Sequence, residues 1–189
     1  MWIKRDLSSV WHQKGAQPIQ ILVGPRQSGK SSFLDHESAS MRTVLNFDDF
    51  SLRELAERDP QTFLNQYSSE LILDECQYAP SLFPELKRRV DQEKQRARKE
   101  QATKNVSYWI TGSNRILLDK QVAETLTGRA SYFKFHTLSL TELRNQFGEL
   151  PLSTLFARGG WPELHTDPDI NPIQFLNDHL QTTLEKELI

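Results

Sequence analysis

The chain has 189 residues, 37% of them hydrophobic and 25% charged, with a formal net charge of −2. That length suffices for a domain with a real core, the composition is too apolar for a disordered chain, and the near-neutral balance argues neither for nor against a nucleic-acid partner. A single cysteine, Cys76, excludes an internal disulfide and a cysteine-built metal site and fits a reducing cytoplasm. No apolar leader segment and no run of roughly 18 apolar residues occurs, so neither a signal peptide nor a membrane span is expected.

From the N-terminus, Trp2, Ile3, Leu7, Val10 and Trp11 recur at spacings that predict an amphipathic helix over residues 1–17, ended by Pro18. The next stretch organises the rest. Ile19–Val23 reads as a short buried strand, followed by Gly24, Pro25, Arg26, Gln27, Ser28, Gly29, Lys30, Ser31 and Ser32. Gly24, Gly29, Lys30 and Ser31 fit G-x-x-x-x-G-K-[ST] between a strand and a helix, the setting a phosphate-binding loop requires. Glycines let backbone N–H groups converge on phosphate oxygens, and a helix start near Gly29 turns its positive dipole end to the same anion. Lys30 supplies a point charge for the outer phosphates, and the Ser31 hydroxyl is placed to ligate Mg²⁺.

Thr43–Phe47 predicts a second strand ending in Asp48 and Asp49, which either approach the metal through water or cap the following helix. One or two helices surround Pro60. Glu70-Leu-Ile-Leu-Asp74-Glu75 is a buried strand ending in adjacent carboxylates, which a purely structural strand gains little from carrying. Behind a phosphate loop it has the form of a Walker B segment, with Asp74 as metal ligand beside Ser31 and Glu75 as the base that polarises a water. Cys76, beside two carboxylates, reads as a small buried hydrophobe and not a nucleophile.

Residues 85–105 predict a long polar helix. Between 85 and 104 stand eight basic and four acidic residues, a local excess of +4 that suits either a solvated face or phosphates of a nucleic acid. Val106–Thr111 predicts a fourth strand running into Gly112-Ser113-Asn114, where Ser113 or Asn114 suits a γ-phosphate sensor or simply a turn. Arg129 precedes a fifth strand, Ser131–His136, and either stabilises phosphoryl charge or pairs with a surface carboxylate. From Thr137 the character changes to short helical segments, with Thr141 as an expected N-cap and a last helix from Pro172. The five histidines show no metal-ligand spacing.

In order, G-P-R-Q-S-G-K-S-S, N-F-D-D, I-L-D-E-C-Q-Y-A-P, L-K-R-R-V-D, I-T-G-S-N, L-T-G-R-A, L-S-L-T-E-L and G-G-W-P-E resemble the prokaryotic AAA-type P-loop ATPases, near the STAND and archaeal ATPases, that carry a C-terminal domain of unknown function. The resemblance covers nearly the whole chain and implies ATP as ligand, Mg²⁺ as cofactor and a parallel α/β sheet of order 5-1-4-3-2 flanked by helices. It places Lys30 and Ser31 at the nucleotide and metal, Asp74 at the metal, Glu75 as base, and Arg129 in a G-R motif. The implied organisation is an ATPase core over 1–136 and a small helical extension over 137–189, which opens a C-terminal domain that is truncated or absent. The stretch 92–105 is longer than the family pattern. Expected partners are ATP and either a second copy or another protein, with nucleic acid the weakest. The output is either ATP hydrolysis driving a conformational switch or a nucleotide-gated interaction module with little hydrolysis.

Overall fold

A computed structural model describes residues 1–12, 17–39, 41–101, 106–113 and 125–187, without the side chains of 183–187. Five parallel strands form one sheet: β1 (Ile19–Val23), β2 (Thr43–Asn46), β3 (Glu70–Asp74), β4 (Ser107–Gly112) and β5 (Ala130–Lys134). Their order across the sheet is β2-β3-β4-β1-β5, the expected 5-1-4-3-2 read from the other edge. β1 and β4 pair with Val23 opposite Gly112, and β3 pairs with β4 so that Leu73 lies opposite Ile110. The C-terminal ends of β1, β3 and β4 therefore share one edge, where open parallel sheets place their ligands.

Alternation along the strands builds two cores. Ile19, Ile21, Val23, Leu71, Leu73, Tyr108 and Ile110 point to one face. There they meet α3 (Phe50–Arg58), α4 (Pro60–Asn65) and the first half of α5 (Leu82–Glu100). Leu22, Ile72 and Trp109 point to the other face, against Phe33 and Leu34 of α2 (Lys30–Ser38) and Trp11 of α1 (Ser8–Trp11). Trp11 is fully buried and packs edge-on against Phe33 and Trp109. Truncating it to alanine would cost about 3–5 kcal/mol.

The expected N-terminal helix over 1–17 is corrected: among its described residues only α1 is an α-helix. Residues 1–5 are not helical because their apolar side chains serve separate tertiary contacts: Trp2 stacks on His36, and Ile3 packs with Leu138 and Leu143. Asp49 caps α3, its carboxylate accepting from the N–H groups of Ser51 and Leu52, as the helix-cap alternative expects. The long helix ends at Glu100, with Gln101 left-handed at its C-cap.

Beyond β5 the chain forms α6 (Leu140–Phe147), α7 (Leu152–Arg158), α8 (Pro162–Thr166) and α9 (Pro172–Glu187). The cap of α6 is Ser139, not Thr141. Ser139 and Glu142 exchange side-chain and backbone hydrogen bonds in a capping box, and Thr141 has no acidic or amide residue three positions on to complete one. No helix among the described residues is long and apolar enough to cross a membrane.

Candidate nucleotide site

The loop between β1 and α2 owes its shape to special backbone positions. Gly29 has φ +92° and Gln27 +56°, so the chain turns through left-handed conformations just before the helix. Such a turn makes successive N–H groups converge into an anion-binding nest, capped by the N-terminus of a nine-residue helix. Gly24 is needed for another reason. A Cβ there would lie 2.0 Å from the Phe135 carbonyl oxygen, because β5 ends directly against the loop. Ser28 is buried and its hydroxyl donates to the Pro25 carbonyl at 2.8 Å. Lys30 is also buried, and its ammonium donates to the carbonyls of Gly24 at 3.0 Å and Pro25 at 2.8 Å, inside the loop. Arg26 reaches outward to the Tyr78 hydroxyl at 3.3 Å, while Gln27 and Ser32 are exposed.

Opposite the loop, β3 delivers two carboxylates in different roles. Asp74 is 5% exposed and accepts from the Ser31 hydroxyl at 2.9 Å and from the Thr111 hydroxyl. Burial pushes the Asp74 carboxyl above the ordinary carboxylate range, against the opposing effect of these two hydroxyl donors. Glu75 follows with φ +53°, a left-handed turn that a non-glycine residue adopts at a cost of order 1–3 kcal/mol. That turn aims its carboxylate at Ser113, whose N–H and hydroxyl donate to Oε2 at 3.2 Å and 2.8 Å. Gln77 donates to the same oxygen at 2.5 Å. Thr111 links the two acids, since its oxygen also accepts from the Glu75 N–H at 3.1 Å.

The structure thus brings together Gly24–Ser32, Asp74, Glu75 and Ser113. Asn114 lies outside the described residues. Arg129 is not brought to this site: it stands at the N-terminal end of β5, the opposite end of the sheet from the loop. There its guanidinium pairs with both oxygens of Asp91 at 2.7 Å and 2.8 Å and with the Thr127 carbonyl. Within one chain its observed partner is that carboxylate. The basic helix α5 is likewise engaged with its own acids: Arg88 and Arg89 hold Glu85, and Arg96 holds Glu93 and Glu100. Cys76 is fully buried, and burial pushes its thiol far up, as suits an inert core residue.

Thr111 and Gln77 were not singled out in the sequence. Thr111 sits one position before a glycine at the end of a strand, and only pairing of β4 with β3 sets it between two carboxylates. Among the described residues no cluster of three His, Cys, Asp or Glu side chains forms a protein-only metal cage.

A five-stranded parallel sheet with this loop after the interior strand β1, and acidic residues ending β3 on the other side of the central strand β4, defines a P-loop nucleotide-binding protein. The sequence matches the AAA domain family over residues 16–144, and the chain belongs to that family. Two curated relatives, the uncharacterized proteins Rv2008c of Mycobacterium tuberculosis and Mb2031c of Mycobacterium bovis, are each 29% identical over 174 residues. Those matches cover 90% of this chain but 36% of the relatives, so it spans about a third of their length. Among solved structures, the Walker-type ATPase PABY2304 of Pyrococcus abyssi superposes with a TM-score of 0.53 at 15% identity. That likeness, over 96% of this chain and 72% of the other, is one of fold.

Proposed function

We propose that this chain binds ATP with Mg²⁺ and hydrolyses it, using the loss of the γ-phosphate to drive a conformational switch. The observation that carries the reading is the hydrogen-bonded series Ser31–Asp74–Thr111–Glu75–Ser113 at the mouth of the loop. Ser31 and Asp74 are adjacent hard-oxygen donors, the pair that suits Mg²⁺ retaining much of its own water. When bound there, Mg²⁺ neutralises charge on the phosphoryl group being transferred. The backbone of 24–29 and the Lys30 ammonium hold the phosphates, Lys30 exchanging its carbonyl acceptors for phosphate oxygens. Glu75, oriented by Ser113 and Gln77, positions the attacking water and takes up its proton as the new P–O bond forms and the bond to the ADP oxygen breaks. Residues 1–136 act as the ATPase core, and 137–189 as the helical extension that responds to it.

A second reading is a nucleotide-gated module with slow hydrolysis. Its support is that one Glu75 oxygen already accepts three hydrogen bonds, so an attacking water has to compete with Ser113 and Gln77 for that oxygen. Phosphate release from Mg·ATP by the wild type and Glu75→Gln, with ATP affinity measured for both, separates the readings. Turnover lost in a mutant that still binds supports hydrolysis through Glu75. Equal binding with no turnover in either leaves the gated module. Absence of ATP binding in the wild type overturns both.

A further inference from the structure

Arg5 is a buried cation outside the series just described, and it is fully engaged. Its Nη1 donates to the Ser28 carbonyl at 3.0 Å, its Nη2 to the His136 carbonyl at 2.6 Å, and its Nε to Glu142 at 3.0 Å. The guanidinium lies 4.0 Å from the centre of the Phe135 ring, and the Arg5 and Glu142 side chains are each 6% exposed. Glu142 in turn accepts from the N–H groups of Asp6 and Ser139 while capping α6. One side chain therefore joins the phosphate loop, the end of β5 and the first helix of the extension.

Two features set this contact apart from ordinary packing. A buried ion pair contributes little net stability compared with apolar residues of the same volume, so its value lies in fixing one arrangement. The acceptor is also a functional atom. The Ser28 carbonyl and the Gly29 N–H belong to one planar trans peptide and point in opposite directions. Holding that carbonyl on Arg5 therefore turns the Gly29 N–H away from Arg5. That amide opens the nest, at the position whose φ of +92° only glycine adopts readily.

We propose that Arg5 is a positioning residue for the phosphate loop and, through Glu142, the connection by which nucleotide binding is felt by α6. The inference rests on the loop being a nucleotide site. Phosphate on the Gly29 N–H polarises the shared peptide and strengthens the Ser28 carbonyl as an acceptor for Arg5. Arg5 and Glu142 are then held more tightly, and α6 with them.

The test compares Arg5→Met with Arg42→Met. Arg42 is a matched arginine at the other end of the sheet: it donates to the Ser107 carbonyl at 2.7 Å, stacks on Trp109 at 4.1 Å and lies 3.9 Å from Glu70. ATP affinity, the Gly29 amide resonance and hydrogen exchange of the α6 amides are measured for wild type and both variants. Glu142→Gln is included as a milder change that keeps the side-chain volume. Arg5→Met is expected to weaken ATP about tenfold and to shift the free-state Gly29 resonance. ATP should slow α6 exchange in the wild type and in Arg42→Met but not in Arg5→Met, with Glu142→Gln intermediate. If the wild type binds ATP and Arg5→Met matches Arg42→Met in affinity, resonance and exchange, the positioning role is wrong. If the wild type binds ATP without any change in α6 exchange, the coupling is wrong. A wild type that binds no ATP overturns the nucleotide-site reading itself, and a Gly29 resonance shift specific to Arg5→Met would still support positioning of the loop. Should Arg5→Met fail to fold, the same comparisons are read from Glu142→Gln, for which unchanged affinity and exchange count against the proposal.

Discussion

Both ends of the sheet carry charged side chains and treat them in opposite ways. At the N-terminal end of the strands, Arg129 meets Asp91 and Arg42 meets Glu70, partly exposed pairs in which each charge is answered by its opposite. At the C-terminal end, Asp74 is buried against hydroxyls, Glu75 sits on a left-handed backbone, and Lys30 is folded into carbonyls. The first arrangement lowers the energy of the folded chain. The second raises it, and such clusters concentrate at binding and catalytic sites. What separates the ends is how each charge is satisfied.

The largest expected effect at the site end is from Lys30→Ala. ATP affinity by calorimetry should fall on the order of 100-fold, about 2.8 kcal/mol, and an unchanged affinity would break the comparison. Next comes Thr111→Val, which leaves the Glu75 N–H and one Asp74 oxygen without their hydroxyl partner. A loss of about 1–3 kcal/mol is expected in denaturant unfolding, whereas Thr43→Val, at an exposed position at the far end, should stay within about 0.5 kcal/mol.

The pH dependence should differ in sign between the ends. The Asp74 carboxyl is raised in the folded state, chiefly by burial, so the folded chain binds its proton more readily than the unfolded chain does. Asp74 therefore costs stability above its folded pKa, and that cost is relieved as pH falls toward the ordinary carboxylate value. In metal-free buffer Asp74→Asn should raise the melting temperature near pH 7 by a few degrees, roughly 2–4 °C per kcal/mol, and the gain should shrink on acidification. Asp91 is lowered, chiefly by hydrogen bonds from Arg129, so its stabilisation is present above the unfolded carboxylate value and lost as pH falls through the folded one. Asp91→Asn should be slightly destabilising at pH 7 and neutral in strong acid. Melting curves with the same sign for both variants would erase the distinction. A small effect is also expected for Arg129→Gln, at most about 1 kcal/mol for an exposed pair, with ATP affinity unchanged.

Much of this was legible in the sequence because it depends on neighbours along the chain. The largely apolar stretch 19–23 and the apolar run 71–73 predict buried strands by burial on both faces, and the glycine and lysine spacing of 24–31 needs nothing beyond the local strand–turn–helix. Asp49 before Ser51 and Leu52 predicts a cap by the same local logic. Ser139 with Glu142 was equally local and simply carried a better capping box than Thr141. The N-terminal stretch misled because apolar spacing says that residues are buried, not by what. Trp2, Ile3 and Trp11 are recruited by His36, Leu138 and Trp109, residues remote in sequence, and no continuous helix is needed to bury them.

By itself, then, the sequence determined that five short strands alternate with helices, that a phosphate loop follows the first, and that two carboxylates end the third. Hydrophobic burial and backbone conformation act over a few residues, so those features could be read along the chain. Tertiary structure decided which charges do the work. Pairing of β3 with β4 put Thr111 between Asp74 and Glu75 and set Ser113 on the Glu75 carboxylate, while the parallel register sent Arg129 to the far end. Packing of the extension onto the N-terminal segment brought Glu142 to Arg5, and Arg5 to the Ser28 carbonyl. Electrostatics and hydrogen bonding act through space at about 3 Å, and the sequence separation of 137 from Arg5 to Glu142 closes to that distance only when the chain folds.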